Sequence, residues 1–259
     1  MIKQINFHIN ELDSMKKYPK DIFYIGNIEL LKKTKISFVG SRSANQYAKN
    51  ITYQLANKLS NCGFCIVSGG ALGIDTISHQ ASGTSNTIMV AGTGLDTRYP
   101  SVNKKLIIDI ELNGLVISQF KEKTPSTKYN FPLRNELIVA LGEILIVTYA
   151  DLNSGTMRSV EYALKMNKQI YVIPHRIGES DGTKKLIEEN KAHVIYDIDK
   201  FISELCPNYK EEIDKKDDFL EYCKTNPFYD EAILKYEEKV LEYELNAKIT
   251  IKNGKIFIQ

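Results

Sequence analysis

Residues 35–80 read KISFVGSRSANQYAKNITYQLANKLSNCGFCIVSGGALGIDTISHQ, two short apolar runs each closed by glycine and each followed by a helical pattern. KISFVG and FCIVSGG have the length and β-branched content of buried strands. Between them Ile51, Leu55 and Leu59 recur at the four-residue spacing of one helix face. The alternation then continues without a break: TIMVAG, SVNKKLIIDIEL, LVISQF, LRNELIVAL, EILIVTYA, SGTMRSVEYALKM, QIYVIP, GTKKLIEEN, HVIYD and IDKFISEL. Apolar strands joined by helices of about 10–15 residues imply right-handed crossovers and a parallel sheet covered on both faces. The fold class expected is therefore α/β, a Rossmann-like doubly wound parallel sheet over residues 35–206.

On either side the pattern changes. Residues 1–34 hold Phe7, Tyr18, Phe23 and Tyr24 and a turn at Tyr18-Pro19-Lys20, an N-terminal extension expected to pack on the core. Residues 207–216 are charged and lack an apolar period, which reads as a linker. In 217–259, DFLEYCKT, DEAILKY and EKVLEYEL are helical and ITIKNGKIFIQ carries Asn253-Gly254 between alternating apolar residues, a two-residue hairpin signal. Three helices and a β-ribbon suggest a small winged-helix-like domain.

The chain has 259 residues, 43% of them hydrophobic and 25% charged, a composition of folded rather than disordered protein. No apolar run approaches the ~18 residues of a membrane span, and the N-terminus lacks a signal-peptide pattern, so the expectation is a cytoplasmic protein with no membrane partner. Cys62 and Cys65 form a C-x-x-C that leads into a strand rather than opening a helix, which suits small buried hydrophobes better than a redox pair. From Pro207 onward nine Lys face twelve Asp and Glu, whereas the preceding 206 residues hold 25 basic against 20 acidic side chains. The acidic tail, with Glu237, Glu238, Glu242 and Glu244 around its third helix, suits protein contact better than DNA. All five arginines, Arg42, Arg98, Arg134, Arg158 and Arg176, fall in the basic part, and the guanidinium fork suits phosphate.

Ligands of an open parallel sheet bind outside the carboxyl ends of its strands. Those ends here read Gly40-Ser41-Arg42, Ser68-Gly69-Gly70-Ala71-Leu72-Gly73-Ile74-Asp75, Gly92-Thr93-Gly94-Leu95-Asp96, Tyr149-Ala150-Asp151 before Ser154-Gly155-Thr156, and Pro174-His175-Arg176. Glycine, hydroxyl and Arg recur at nearly all of them, as an anion site spread over several loops requires. The first turn, GSRSAN, is not G-x-G-x-x-G, and no G-x-x-x-x-G-K-[ST] occurs, so neither a dinucleotide fingerprint nor a P-loop is present. No metal cluster, cofactor motif or catalytic constellation stands out. Asp75 and His79, four apart on one helix, fit a cap and a core histidine better than a ligand pair.

Taken in order, Gly40-Ser41-Arg42, Ser68-Gly69-Gly70-Ala71-x-Gly73-Ile74-Asp75-x-x-x-His79, Gly94-Leu95-Asp96 with Tyr99-Pro100, and Phe131-Pro132-x-Arg134-Asn135 resemble the DNA-processing protein A family (DprA, also called Smf). The resemblance covers about residues 35–195, with Ser154-Gly155-Thr156 and Val172-Ile173-Pro174 continuing it. It implies a non-enzymatic, homodimeric single-stranded DNA binder that protects incoming DNA and loads the recombinase RecA during natural transformation, the state of competence. By position, Gly40, Ser41 and Arg42 match the family's phosphate-binding turn, and Lys128, Phe131, Arg134 and Asn135 match the segment lining its DNA groove. Ser68, Gly69, Gly70, Ser154 and Gly155 complete the DNA-binding set expected here. Three departures stand out: Ser41 for the usual Thr, Glu136 where Arg is common, and His175 where Gly is common. Glu136 would remove a DNA contact, and His175-Arg176 would return some of that charge.

The chemistry agrees with this independently of the resemblance. A nonspecific single-strand binder needs cations and N–H donors for phosphates and an aromatic face for bases. Arg42, Lys128 and Arg134 offer the first and Phe131 the second, with Lys165 or Lys168 candidates to extend the groove. The alternative is a nucleotide-processing phosphoribohydrolase of the lysine-decarboxylase-like group, loosely echoed by Ser154-Gly155-Thr156 with Glu161 downstream.

Overall fold

The computed structural model describes residues 1–207, 218–245 and 248–258. It divides into two compact units, Met1–Leu205 and Cys206–Gln259.

In chain order the first unit contains β1 (Lys3–Gln4), β2 (Phe23–Gly26), β3 (Lys35–Val39), α1 (Gln46–Asn61), β4 (Cys65–Ser68), α2 (Ile74–Ala81), β5 (Thr87–Val90), α3 (Lys104–Asn113), β6 (Leu115–Ser118), α4 (Asn130–Leu141), β7 (Ile144–Val147), α5 (Gly155–Lys165), β8 (Gln169–Val172), α6 (Asp181–Glu188), β9 (His193–Val194) and α7 (Ile198–Leu205). Strands β3 to β7 are buried along their whole length, as expected of apolar runs covered by helices on both faces. Their order in the sheet is β1-β2-β6-β5-β4-β3-β7-β8-β9. From β3 the chain winds outward through β4, β5 and β6, then returns to start again with β7 on the other side of β3. The order therefore reverses between β3 and β7, where Ser37 pairs with Leu145 and Val39 with Val147. Such a reversal opens a crevice at the carboxyl ends of the two strands, because their following loops leave in opposite directions.

Seven strands are parallel, β3 to β9, and the α/β doubly wound class is as read. Residues 1–34 do more than pack on that core. They supply β1 and β2, which extend the sheet antiparallel to β6, with Phe23 opposite Ser118 and Gly26 opposite Leu115. An otherwise open row of β6 backbone groups is thereby paired. The same segment buries Ile9, Leu12, Met15, Ile22, Leu30 and Leu31. Lys35, only 3% exposed, ties it down by donating to the carbonyls of Leu31 and Lys33 and pairing with Glu11 at 2.6 Å.

The second unit contains α8 (Asp218–Cys223), α9 (Tyr229–Leu245) and the hairpin β10 (Ile249–Lys252) and β11 (Lys255–Ile258). Non-helical backbone at Tyr236 divides α9, so the two helical segments read from sequence are present but run together. Asn253 and Gly254 both have positive φ, 51° and 73°, as a two-residue type I′ turn demands. Phe219, Cys223, Ala232, Val240, Ile249 and Ile256 form its own core. The linker expected at 207–216 lies, apart from Pro207, outside the described residues. Among the described residues no helix is long and apolar enough to cross a membrane.

Each of the six buried side chains of residues 1–34 stabilises the fold by about 1.5–3 kcal/mol, together comparable with the whole ~5–15 kcal/mol of a typical domain. A chain lacking residues 1–34 is therefore expected to lose cooperative thermal unfolding and to elute as aggregate on size exclusion. A monomer with an unshifted melting temperature would contradict this.

Candidate nucleic-acid interface

The loops after β3, β4 and β5 and the first turns of α4 surround a small apolar cleft of about 60 Å³, lined by Arg42, Gly69, Leu72, Gly92, Tyr99 and Phe131 with Arg134 at its base. Beside it, sharing Arg42, Tyr99 and Phe131, opens a second channel bordered by Lys128, Asn135, Gly155 and Arg158. The two together occupy the carboxyl side of the switch between β3 and β7. The loops that flank that switch are joined across it: Ser41 N–H donates to the Tyr149 carbonyl at 3.0 Å.

Phe131 is the shared wall. Its ring lies 5.8 Å from the ring of Tyr99, 5.9 Å from the Arg42 guanidinium carbon and 5.8 Å from that of Arg134. Gly92 is required by this approach, since a Cβ there would stand 2.9 Å from the Phe131 ring.

The two arginines beside Phe131 do different work. Arg42 is exposed on the rim and enters no ion pair among the described residues, so its charge is available to a ligand. Arg134 is 5% exposed; its Nη1 donates to the Val90 carbonyl at 3.1 Å and lies so close to Gly69 that a Cβ on that residue would overlap it. Asp75 is the buried carboxylate behind it. Burial pushes that carboxyl up, opposed first by the positive charge of Arg134, and its Oδ2 accepts from Ala71 N–H at 3.3 Å. Burial likewise lowers Arg134, with Asp75 acting to raise it. Arg134, buried against the Val90 carbonyl with the Asp75 charge offsetting part of the cost, serves the cleft as structure rather than as a free cation in a groove.

The other residues singled out from the sequence separate in the same way. Gly40 is packed against Ile74, and Ser41 accepts from Ser43 N–H at 3.2 Å, fixing the turn that presents Arg42. Ser68 is fully buried with its hydroxyl donated to the Phe38 carbonyl, and Gly70 packs over Met89. Lys128 is exposed with Nζ 5.2 Å from the Tyr129 ring centre, and Asn135 is half-buried on the channel wall. Ser154 precedes α5, and no described partner satisfies its buried hydroxyl; Gly155 opens the helix with empty space where a Cβ would point.

Several expectations need correction. Glu136 is buried and turned away from the groove, accepting from Lys16 N–H at 2.8 Å, so it anchors the N-terminal segment rather than marking a lost DNA contact. His175 returns no charge to the surface: its side chain is 2% exposed, its Nε2–H donates to the Thr148 carbonyl at 2.8 Å, and Tyr47 and Tyr149 close over it. Lys168 immediately precedes β8, at the amino end of the sheet, and its ammonium donates to the carbonyls of Ala140 and Gly142, so it does not extend the groove. Arg98 is held by Glu111 through both Nε and Nη2. Glu161 is exposed, 3.6 Å from Arg158. The C-x-x-C is structural on its second member, since burial pushes the Cys65 thiol up to about 12. The residue that sequence reading passed over is Tyr99, signalled only by its place in Tyr99-Pro100.

A Rossmann-like α/β protein with a cationic, aromatic crevice at its topological switch is the class these features define. Residues 5–206 match the family of the DNA recombination-mediator protein A, and the chain belongs to that family. It is 37% identical over 183 residues to the DNA processing protein DprA of Streptococcus pneumoniae, covering 69% of this chain and 64% of that protein. With the Bacillus subtilis DprA it shares 31% over 199 residues, 75% of this chain and 67% of the relative. The chain spans about half, 49%, of the protein Smf of Synechocystis. Among solved structures, DNA processing protein A of Helicobacter pylori, described for its single-stranded DNA binding mode, superposes with a TM-score of 0.78 at 37% identity, covering 81% of this chain and 97% of that one. The S. pneumoniae DprA structure superposes with a TM-score of 0.73 at 33% identity over 78% of this chain and 74% of that one.

His79 lies beneath the site, fully buried. Thr87 donates its hydroxyl to the Ile66 carbonyl at 2.8 Å, so His79 Nδ1–H donates to Thr87 Oγ1 at 2.7 Å. Burial, reinforced by the charge of Arg134, pushes the imidazole down to about 3. Because the folded histidine stays neutral while the unfolded one protonates near pH ~6.5, its contribution is full above that pH and declines as pH falls toward 3, by up to about 1.4 kcal/mol per pH unit. Urea denaturation at pH 7 and pH 5 is expected to show a larger stability loss for the wild type than for His79→Gln. Equal losses would show that the ring is not held neutral.

Proposed function

We propose that this chain binds single-stranded DNA in the crevice at the β3–β7 switch, placing one base against Phe131 in the apolar cleft and the adjoining phosphate at Arg42. The observation that carries the reading is the composition of the crevice: an uncompensated guanidinium and an aromatic face side by side. Duplex DNA keeps its bases stacked inside, so only an unpaired strand can use both. Base stacking on an aromatic ring is worth about 1–3 kcal/mol, and each phosphate neutralised adds a salt-dependent increment.

Family membership supports the later steps of the same reading: a non-enzymatic homodimer acting in the cytoplasm, which protects incoming single strands and delivers them to RecA during natural transformation. The second unit, with its helices and hairpin, reads as a small winged helix. Its exposed Asp230, Glu231, Glu237 and Glu244 disfavour a DNA phosphate backbone and suit a protein partner.

Fluorescence anisotropy of a labelled oligo-dT and of a matched duplex, measured over a salt series, tests this directly. The single strand is expected to bind more tightly. Arg42→Ala should weaken it at least about tenfold and flatten the salt dependence, whereas Phe131→Ala should weaken it by the ~1–3 kcal/mol of one stacked base with the salt slope unchanged. Equal affinity for both nucleic acids, or indifference to Arg42→Ala, would remove the crevice from DNA binding.

A further inference from the structure

The channel beside the apolar cleft has a cation whose role nothing above assigns. Arg158 stands near the start of α5, exposed, and lines the same channel as Arg42 and Lys128. Its one described ionic partner is Glu161, three residues on along the same helix at 3.6 Å, with both side chains more than half exposed. Exposed pairs of this kind contribute about 0–1 kcal/mol and yield readily to a better anion. One turn earlier, the channel meets the start of α5, where Gly155 leaves open space and the backbone N–H groups of the first turn carry the positive end of the helix. Three exposed cations along one channel, with open space at Gly155, suit a chain of phosphates rather than a single anion.

We propose that Arg158 is a DNA-contacting residue that takes a phosphate next to the one held at Arg42, so that the strand leaves the cleft over Phe131 and runs between α4 and α5. This rests on the single-strand reading of the crevice and adds its direction. The strand's bases meet the cleft on the Phe131 side, and its backbone crosses the channel from Arg42 toward Arg158. Glu161 competes with that phosphate for the guanidinium.

Three variants read this out with labelled oligo-dT over a salt series. Arg158→Ala is expected to weaken binding several-fold and to lower the slope of log K against log salt by about 0.7, the increment of one single-strand phosphate. Gly155 has an ordinary negative-φ backbone and free space, so Gly155→Asp builds without strain, and a carboxylate suits a helix start. It should keep the melting temperature and still weaken binding, because its charge stands in the phosphate path. Lys165, expected from sequence to extend the groove, closes α5 outside the channel lining, so Lys165→Ala removes the same charge away from the path and is expected to leave the slope unchanged.

An unchanged slope for Arg158→Ala, unchanged affinity for Gly155→Asp, or a slope lowered equally by Lys165→Ala would each overturn the proposed path while leaving the Arg42 site in place. Absence of single-strand binding by the wild type would remove both.

Discussion

A guanidinium buried against a backbone carbonyl and near a carboxylate holds this site together. Arg134 reaches from α4 to the end of β5 through Val90, presses on the turn after β4 at Gly69, and carries Phe131 one turn before it on the same helix. Burying such a charge costs several kcal/mol, and Asp75, on the helix that follows the same turn, offsets part of that cost. Three separate segments are thereby fixed to one another at the point where the sheet reverses its winding. With Arg134 committed inward, Arg42 is the cation beside Phe131 that faces outward.

Much of the fold was legible because its signals are local. A central strand buried on both faces must be a short apolar run, and a crossover helix must show one apolar stripe, so β3 to β9 and their helices could be read in order. The hairpin at Asn253-Gly254 was legible for a similar reason, since its turn demands two positive-φ residues. Pairing across the chain has no such local mark. Phe23 to Gly26 gives no hint that its partner is β6, and β1, two residues long, is below any period.

The site was legible in its location and less so in its assignments. Strand ends concentrate glycine and hydroxyl because loops turn there, which is enough to find the crevice. It is not enough to say which group faces outward. Ser68 closes β4 and Arg42 stands three residues past β3, both in polar strand-end turns, yet one hydroxyl is spent on the Phe38 carbonyl and the other side chain is exposed. Glu136 and Arg134 sit two positions apart on one helix, pointing to opposite sides, and only the three-dimensional neighbours, Lys16 and Val90, separate an anchor for the N-terminal segment from the base of the cleft.

The contact between Gly69 and the Arg134 guanidinium has an evolutionary side. Any residue with a Cβ at position 69 would displace the guanidinium, and a displaced guanidinium would leave Asp75 buried beside no counter-charge. A smaller, neutral side chain at 134 would tolerate a Cβ at 69 and equally strand Asp75. Positions 69, 75 and 134 therefore form one interdependent unit. A single substitution at any one of them leaves a buried group at the others unmatched, so only coordinated change would keep all three satisfied.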